Sequence, residues 1–188
     1  MNSRARVTES LGFRYLLSAY WWDEARFSAA DVVESLLDHH LELEGLLRFF
    51  IAGIMQGSRQ DDDICGQDYR TTIREIILGQ YAEAEVICPF ELYPESPYYG
   101  PVEGKQTFLD LANRAKEADF LIAYLPEASM GTAIEMWQAY GAGARILSIS
   151  PMAENWVIKF LSDQVFATME EFAEFIASDG PANISPGR

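Results

Sequence analysis

Between Ala118 and Ser150 the chain reads ADFLIAYLPEASMGTAIEMWQAYGAGARILSIS, and its apolar positions change period twice. Phe120 to Leu125 is apolar throughout, too short for a helix and too continuous for a half-exposed strand. This is the pattern of a parallel strand buried on both faces. Pro126 stops it, and Glu127–Gly131 makes the turn. The 3.6-residue period then predicts a helix over Ala133–Ala142, closed by Gly141 and Gly143, and Ala144–Ile149 supplies the next strand. A βαβ unit crosses over right-handedly, so the loop Glu127–Gly131 belongs at the carboxyl end of the first strand, where open α/β sheets bind ligands.

The remaining chain repeats this alternation. Phe49–Ile54 predicts a strand, and Gln67–Tyr81 a helix that lays Ile73, Ile76, Ile77 and Tyr81 on the sheet. Ala84–Cys88 is a second strand and Gln106–Glu117 a helix. Beyond Ser150, Glu154–Leu161 reads as a helix, Gln164–Ala167 as a fifth strand and Met169–Ile176 as a last helix. Five strands alternating with helices predict a doubly wound, five-stranded parallel sheet of the flavodoxin or Rossmann-like kind. Residues 1–46 form a helical extension in this reading: Ser28 caps a helix with Asp31 at its third position, and Val32, Val33, Leu36, Leu37 and Leu41 recur at helical spacing. The α/β domain covers 47–178, and the Gly- and Pro-rich residues 179–188 form a flexible tail.

Composition narrows the function classes. Hydrophobic residues at 49% of 188 describe a folded chain with a sizeable core. A formal net charge of -15 argues against a nucleic-acid polymer or an anionic membrane as partner. Cys65 and Cys88 have no paired spacing, which suits reduced thiols and a cytoplasmic location. Neither a transmembrane span nor a signal peptide is expected: Arg14 and Asp23 interrupt the early apolar residues, and Arg48 divides LLRFFIAGIM. His39 and His40 are adjacent, point about 100° apart on a helix, and have no supporting ligand spacing, so no metal site is expected. The aromatic cluster Tyr15, Tyr20, Trp21, Trp22 and Phe27 suits either core packing or a subunit interface.

Candidate chemistry gathers at the predicted carboxyl edge. Glu135 falls in the first turn of its predicted helix, where the positive end of the dipole favours an ionised carboxylate. Such a carboxylate, facing a crevice, can attack the anomeric carbon of a sugar. Thr132–Ala133–Ile134–Glu135 is equally a T-x-x-E capping box, in which Glu135 only satisfies a backbone N–H. After the first strand, Gly53, Gln56, Gly57, Ser58 and Arg59 form a loop able to present N–H groups and a cation to a phosphate or a sugar hydroxyl. It is neither G-x-G-x-x-G nor a Walker loop. Asp61, Asp62 and Asp63 read as a solvated turn. The stretch PFELYPESPYYGPVEGK mixes four prolines with Phe90, Tyr93, Tyr98 and Tyr99, either a lid that stacks on a flat heterocycle or a subunit contact.

The run ADFLIAYLPEASMGTAIEMWQAYGAGARIL, with GIMQGSRQD before it, resembles the nucleoside 2-deoxyribosyltransferase superfamily, which includes the 2′-deoxynucleoside 5′-monophosphate N-glycosidases and cytidine-monophosphate hydrolases. The likeness spans roughly Phe49 to Ile176. It implies that Glu135 of G-x-x-x-E, four residues after Gly131, is the nucleophile, forming a glycosyl-enzyme ester that water or a second nucleobase resolves. Ser129 stands where the monophosphate glycosidases place a phosphate-binding serine; the transferases carry aspartate there. Ile54 and Gln56 replace the serine and arginine of the monophosphate enzymes, with Arg59 as a substitute cation. Phe50 stands in place of the tyrosine that orients the nucleophile. Leu111 occupies the position of the aspartate that handles the leaving base, with Asp110 one residue earlier, and Asp119 reads as a structural residue at a strand start. Asn155 matches an asparagine that a neighbouring subunit contributes, so the resemblance implies a homo-oligomer. The resulting expectation is an enzyme cleaving the N-glycosidic bond of a small nucleoside or nucleotide without metal or organic cofactor. A simple 5′-monophosphate hydrolase and a nucleotide-binding module without catalysis are the alternatives.

Overall fold

The structure, a computed structural model, describes residues 46–56, 65–178 and 180–183. The expected helices and aromatic cluster of residues 1–45, together with Gly57, Ser58, Arg59 and Asp61–Asp63, lie outside the described residues. Five strands, β1 (Arg48–Gly53), β2 (Glu85–Ile87), β3 (Phe120–Tyr124), β4 (Arg145–Ile149) and β5 (Gln164–Phe166), form one sheet in the order 2-1-3-4-5, with every pairing parallel. The doubly wound architecture read from the sequence is the one observed.

Helices cover both faces of this sheet. They are α1 (Asp68–Gln80), α2 (Pro89–Leu92), α3 (Pro101–Lys116), α4 (Met130–Ala142), α5 (Trp156–Leu161), α6 (Met169–Ala177) and α7 (Gly180–Asn183), with a 3-10 turn at Ser96–Tyr98. Successive side chains of a strand point to opposite faces, so each central strand supplies two cores. Phe50, Ala52, Leu121, Ala123 and Ile146 pack with Leu111 and Ala115 of α3 and Met136 and Ala139 of α4. On the other side, Phe49, Ile51, Ile122 and Leu147 pack with Ile73 and Ile77 of α1 and Phe172 and Ile176 of α6.

Several boundaries differ from expectation, each for a local reason. The helix expected from Gln106 begins at Pro101, because proline fixes φ and is well accommodated in the first turn. Much of the expected lid is thereby ordered as α2, the 3-10 turn and the start of α3. The helix expected from Ala133 begins at Met130. The one expected from Glu154 begins at Trp156 with Asn155 as its cap. In the tail, Gly180–Asn183 forms a helical turn against α6. Gly180 lies so close to the Phe175 ring that a Cβ there would come within 2.3 Å of it. Gly143 alone closes α4, at φ 89° in the left-handed region, while Gly141 lies inside the helix. At the start of β3, Asp119 has the structural role expected of it: its Oδ2 accepts from the Arg48 N–H at 2.8 Å. Cys65 and Cys88 are both free thiols, and among the described residues no helix is long and apolar enough to cross a membrane.

Candidate active site

The strand order reverses direction between β1 and β3, and there the chain leaves the sheet in opposite senses and opens a crevice at the carboxyl edge. Gly53 of β1 stands beside Tyr124 of β3, and Tyr124 beside Ile149 of β4. Buried Ser150 fastens this edge, donating its hydroxyl to the Leu125 carbonyl at 2.6 Å and accepting from the Met152 N–H at 3.1 Å.

Among the described residues, three cavities lie along the edge. One of about 340 Å³ lies between the end of β1 and α3, lined by Met55, Gln56, Pro97, Thr107, Phe108 and Leu111 among others. Another of about 340 Å³ lies between the β3–α4 loop and α5, where Ser129, Met130, Ala133, Met152 and Asn155 meet. The third, about 310 Å³, is bounded by Ile54, Cys65, Tyr69, Tyr124 and Pro126. Glu135 is not in the described lining of any of the three. It rises from α4, whose N-terminus opens on the second cavity, and its charge acts on Tyr69, which lines the third.

The capping question resolves against Glu135 as a cap. Ser129 is the N-cap, accepting from the Thr132 N–H at 3.4 Å and from the Thr132 hydroxyl at 3.1 Å. Thr132 is therefore the third helical residue and Glu135 the sixth. The expected first-turn position fails, and with it the expected help from the helix dipole, which fades within one turn. The carboxyl is not held ionised. Glu135 keeps part of its surface in solvent, but its carboxyl is dehydrated by surrounding protein, and burial pushes its pKa up to about 8 against an opposing pull from Arg70.

Two neighbours of Glu135 escaped the sequence reading. Arg70 is 3% exposed, and its guanidinium donates to the carbonyls of Ile51 at 2.7 Å and Gly53 at 3.1 Å and to Gln67 Oε1 at 2.7 Å. Tyr69 donates its hydroxyl to the Ile54 carbonyl at 3.1 Å and stacks on Tyr124 with ring centroids 4.3 Å apart. Burial raises the Tyr69 pKa, and Arg70 opposes that rise, so the phenol remains a neutral donor. The signal for Arg70 was in the pattern. It shares the helical spacing of Ile73 and Ile77, a charge on a face that otherwise points inward.

Other expected site residues are distributed around this centre. A Cβ on Gly53 would come within 2.3 Å of the Tyr69 hydroxyl, so glycine there is required by close approach. Gln56 lines the α3 cavity. Gly131 is the second residue of α4, where a Cβ would meet nothing within 4 Å. Asn155 shares its cavity with Ser129 of the same chain, and its Oδ1 accepts from the Val157 N–H at 3.0 Å. Asp110 is not brought to Glu135. Its Oδ2 accepts from the Tyr93 hydroxyl at 2.8 Å and from Arg114 Nε at 2.6 Å. Burial works against the Asp110 carboxylate, but hydrogen bonds from Arg114 and Tyr93 outweigh it and hold the carboxyl below its usual range. Leu111, not Asp110, lines the cavity. Phe50 is fully buried. Among the described residues no group of His, Cys, Asp and Glu is arranged to hold a metal ion.

Solved structures share this architecture. The 2-deoxyribosyltransferase of Bacillus psychrosaccharolyticus superposes with a TM-score of 0.51 at 17% identity, covering 67% of this chain and 90% of that one. The chain has the fold of a 2-deoxyribosyltransferase. A conserved protein of Enterococcus faecalis matches with the same TM-score at 19% identity, covering 72% of this chain and 99% of that one. A CMP N-glycosidase of Clostridium botulinum matches at 20% identity with a TM-score of 0.44, over 70% and 98% of the two chains. Neither a protein-family model nor a curated protein matches the sequence.

Proposed function

We propose that this protein cleaves the N-glycosidic bond of a nucleoside or deoxynucleoside through Glu135, as a 2-deoxyribosyltransferase-like enzyme. The observation that carries the proposal is the state of Glu135: it is not the cap of its helix, and it stands near the β1–β3 reversal of a fold shared with a deoxyribosyltransferase. In its ionised form the carboxylate attacks C1′, the bond to the base nitrogen breaks, and the base leaves with the electron pair and takes up a proton. A second base, or water, then attacks C1′ and releases Glu135.

With a pKa near 8, about one molecule in ten carries the nucleophilic form at neutral pH. The rate of a Glu135 nucleophile therefore rises with pH up to about 8, whereas a proton-donating Glu135 would give the opposite slope. Asp110, tied to Tyr93 and Arg114 and absent from the lining of the cavity beside it, is given no role in handling the leaving base.

The Ser129–Asn155 cavity bears on the choice between nucleoside and nucleotide. Its described lining contains no lysine or arginine. That favours an uncharged sugar end over a 5′-phosphate, which calls for cationic partners. Oligomerisation is inferred from an exposed apolar face on α4 and α5, where Met130, Trp137, Trp156 and Phe160 are 83%, 62%, 78% and 61% exposed. A second copy of the chain is the partner proposed for it.

The deciding experiment incubates the protein with deoxynucleosides and deoxynucleoside 5′-monophosphates, with and without a second free base. Base exchange, lost in Glu135→Ala, supports the transferase. Free sugar phosphate without exchange supports the 5′-monophosphate hydrolase, and ligand binding without turnover the catalytically inactive module. Base release that persists in Glu135→Ala removes the nucleophile assignment.

A further inference from the structure

The proline-rich stretch after β2 supplies part of the wall of the α3 cavity. Ser96 and Pro97 of the 3-10 turn meet Thr107 and Phe108 of α3 around a space of about 340 Å³, with Met55 and Gln56 on the side of β1. The backbone hydrogen bonds of the turn are local. The Ser96 N–H donates to the Tyr93 carbonyl at 3.0 Å, that of Tyr98 to Glu95 at 2.9 Å and that of Tyr99 to Ser96 at 3.3 Å. Pro94, Glu95 and Tyr98 are exposed. Both flanks are firmer. Arg74 of α1 donates through Nη1 to the Val86 carbonyl at 3.1 Å and to Glu91 Oε2 at 3.2 Å, which holds α2 to the sheet. At the other end the Gly100 carbonyl accepts from the Gly104 N–H at 2.8 Å and starts α3. The stretch free to move is therefore Pro94–Tyr99.

Tyr93 joins the root of that stretch to α3. Its ring packs on the core shared by α3 and α4, while its hydroxyl donates to Asp110 Oδ2 at 2.8 Å. The same oxygen accepts from Arg114 Nε at 2.6 Å, one turn along α3, so the helix itself aims the carboxylate. A hydrogen bond to an ionised acceptor already held in place is stronger than one between neutral groups.

We propose that the Tyr93–Asp110 bond is the latch of a gate: with the bond made, the Ser96–Tyr98 turn closes the α3 cavity, and when it breaks the turn moves aside and the cavity opens. Asp110 is then a positioning residue, and Arg114 orients it. The alternative is a static wall, in which the bond only adds stability and the turn opens when the whole domain unfolds. The described lining has no ionisable side chain; Met55, Pro97 and Phe108 give it apolar surface, and Gln56, Ser96 and Thr107 give it neutral hydrogen-bonding groups. This suits an uncharged, flat heterocycle. The occupant rests on the glycosidic reading above, in which it is the base; the latch rests on geometry alone.

Amide hydrogen exchange of the full chain, read at Ser96, Tyr98 and Tyr99, measures the latch without any ligand. In the wild type these amides are expected to be protected, yet to exchange faster than those of Leu111, Ala112 and Ala115 in α3. Tyr93→Phe removes the hydroxyl and keeps the ring on the core. It is expected to speed exchange of the turn about tenfold while leaving the α3 amides unchanged. Asp110→Asn is expected to act in the same direction, and the double variant to add nothing to Tyr93→Phe. Turn amides without protection in the wild type, rates unchanged in Tyr93→Phe, or a change shared equally with α3 each overturn the gate. Should Tyr93→Phe not fold, Asp110→Asn and the wild-type comparison decide in its place. Stopped flow with 2-aminopurine, a fluorescent uncharged base, supplies the second readout. Its association and dissociation rates are expected to rise together in Tyr93→Phe, because a gate limits passage both ways; a rise in dissociation alone overturns it in favour of the wall. If the exchange results hold but 2-aminopurine does not bind, the gate stands and the base-binding reading falls, so the two failures are distinct.

Discussion

Replacing Glu135 by glutamine removes a dehydrated carboxyl while keeping its shape, and the consequence for stability needs no substrate. The pKa of this group rises from 4.5 in an ordinary setting to about 8 in the folded protein. Between those values the folded state holds a proton that the unfolded chain has released, so folding is penalised as pH rises. The slope is about 1.4 kcal/mol per pH unit, which comes to about 3–4 kcal/mol between about pH 5 and about pH 8. The stability linked to this proton is fully present below the unfolded value and is lost as pH rises through the folded one. Glutamine is neutral throughout. Glu135→Gln is therefore expected to match the wild type near pH 5 and to exceed it by about 3–4 kcal/mol near pH 8, equivalent to roughly 10 °C in Tm for a chain of this size. Urea unfolding followed by tryptophan fluorescence at several pH values measures the difference, and the other carboxylates cancel between the two proteins. Stability curves that run parallel from pH 5 to pH 8 would refute the dehydrated carboxyl and the pH-dependent rate derived from it.

Other perturbations test the frame around that residue. Gly53→Ala places a methyl group against the Tyr69 hydroxyl, a ring held by Tyr124 and the Ile54 carbonyl. A loss of about 1–3 kcal/mol is expected from thermal unfolding, relieved when Tyr69→Ala is added. Ser129→Ala removes the N-cap of α4 and is expected to cost about 1 kcal/mol in a urea titration, leaving base specificity unchanged. Trp137→Glu with Trp156→Glu is expected to convert an assembly to monomers in sedimentation velocity with little change in Tm, because both side chains are exposed in the single chain; an unchanged sedimentation coefficient sinks that interface.

The architecture was legible because its determinants are short-range. The unbroken apolar runs at Phe49–Ile54 and Phe120–Leu125 identify strands covered on both faces, and the spacing of Ile73 and Ile77 identifies the helix laid against them. Gly143 and Asp119 were readable for the same reason, since a left-handed cap and a strand-start hydrogen bond are local events. The edge of the sheet that carries the crevice followed from the handedness of the crossover.

What tertiary structure decided was the condition of the groups at that edge. T-x-x-E advertises a cap, yet Ser129 starts the helix three residues earlier and leaves Glu135 in the second turn. The ionisation of Glu135 depends on how much water the surrounding protein excludes, and that is set by residues distant in sequence. Arg70 lies 65 positions from it in the chain, on the opposite face of the sheet. Asp110 was displaced by one residue in the sequence, but its binding to Tyr93 and Arg114 became visible only once the proline-rich stretch had folded beside α3. Periodicity fixes which way a side chain points; its charge is settled by neighbours that only the packed sheet brings within range.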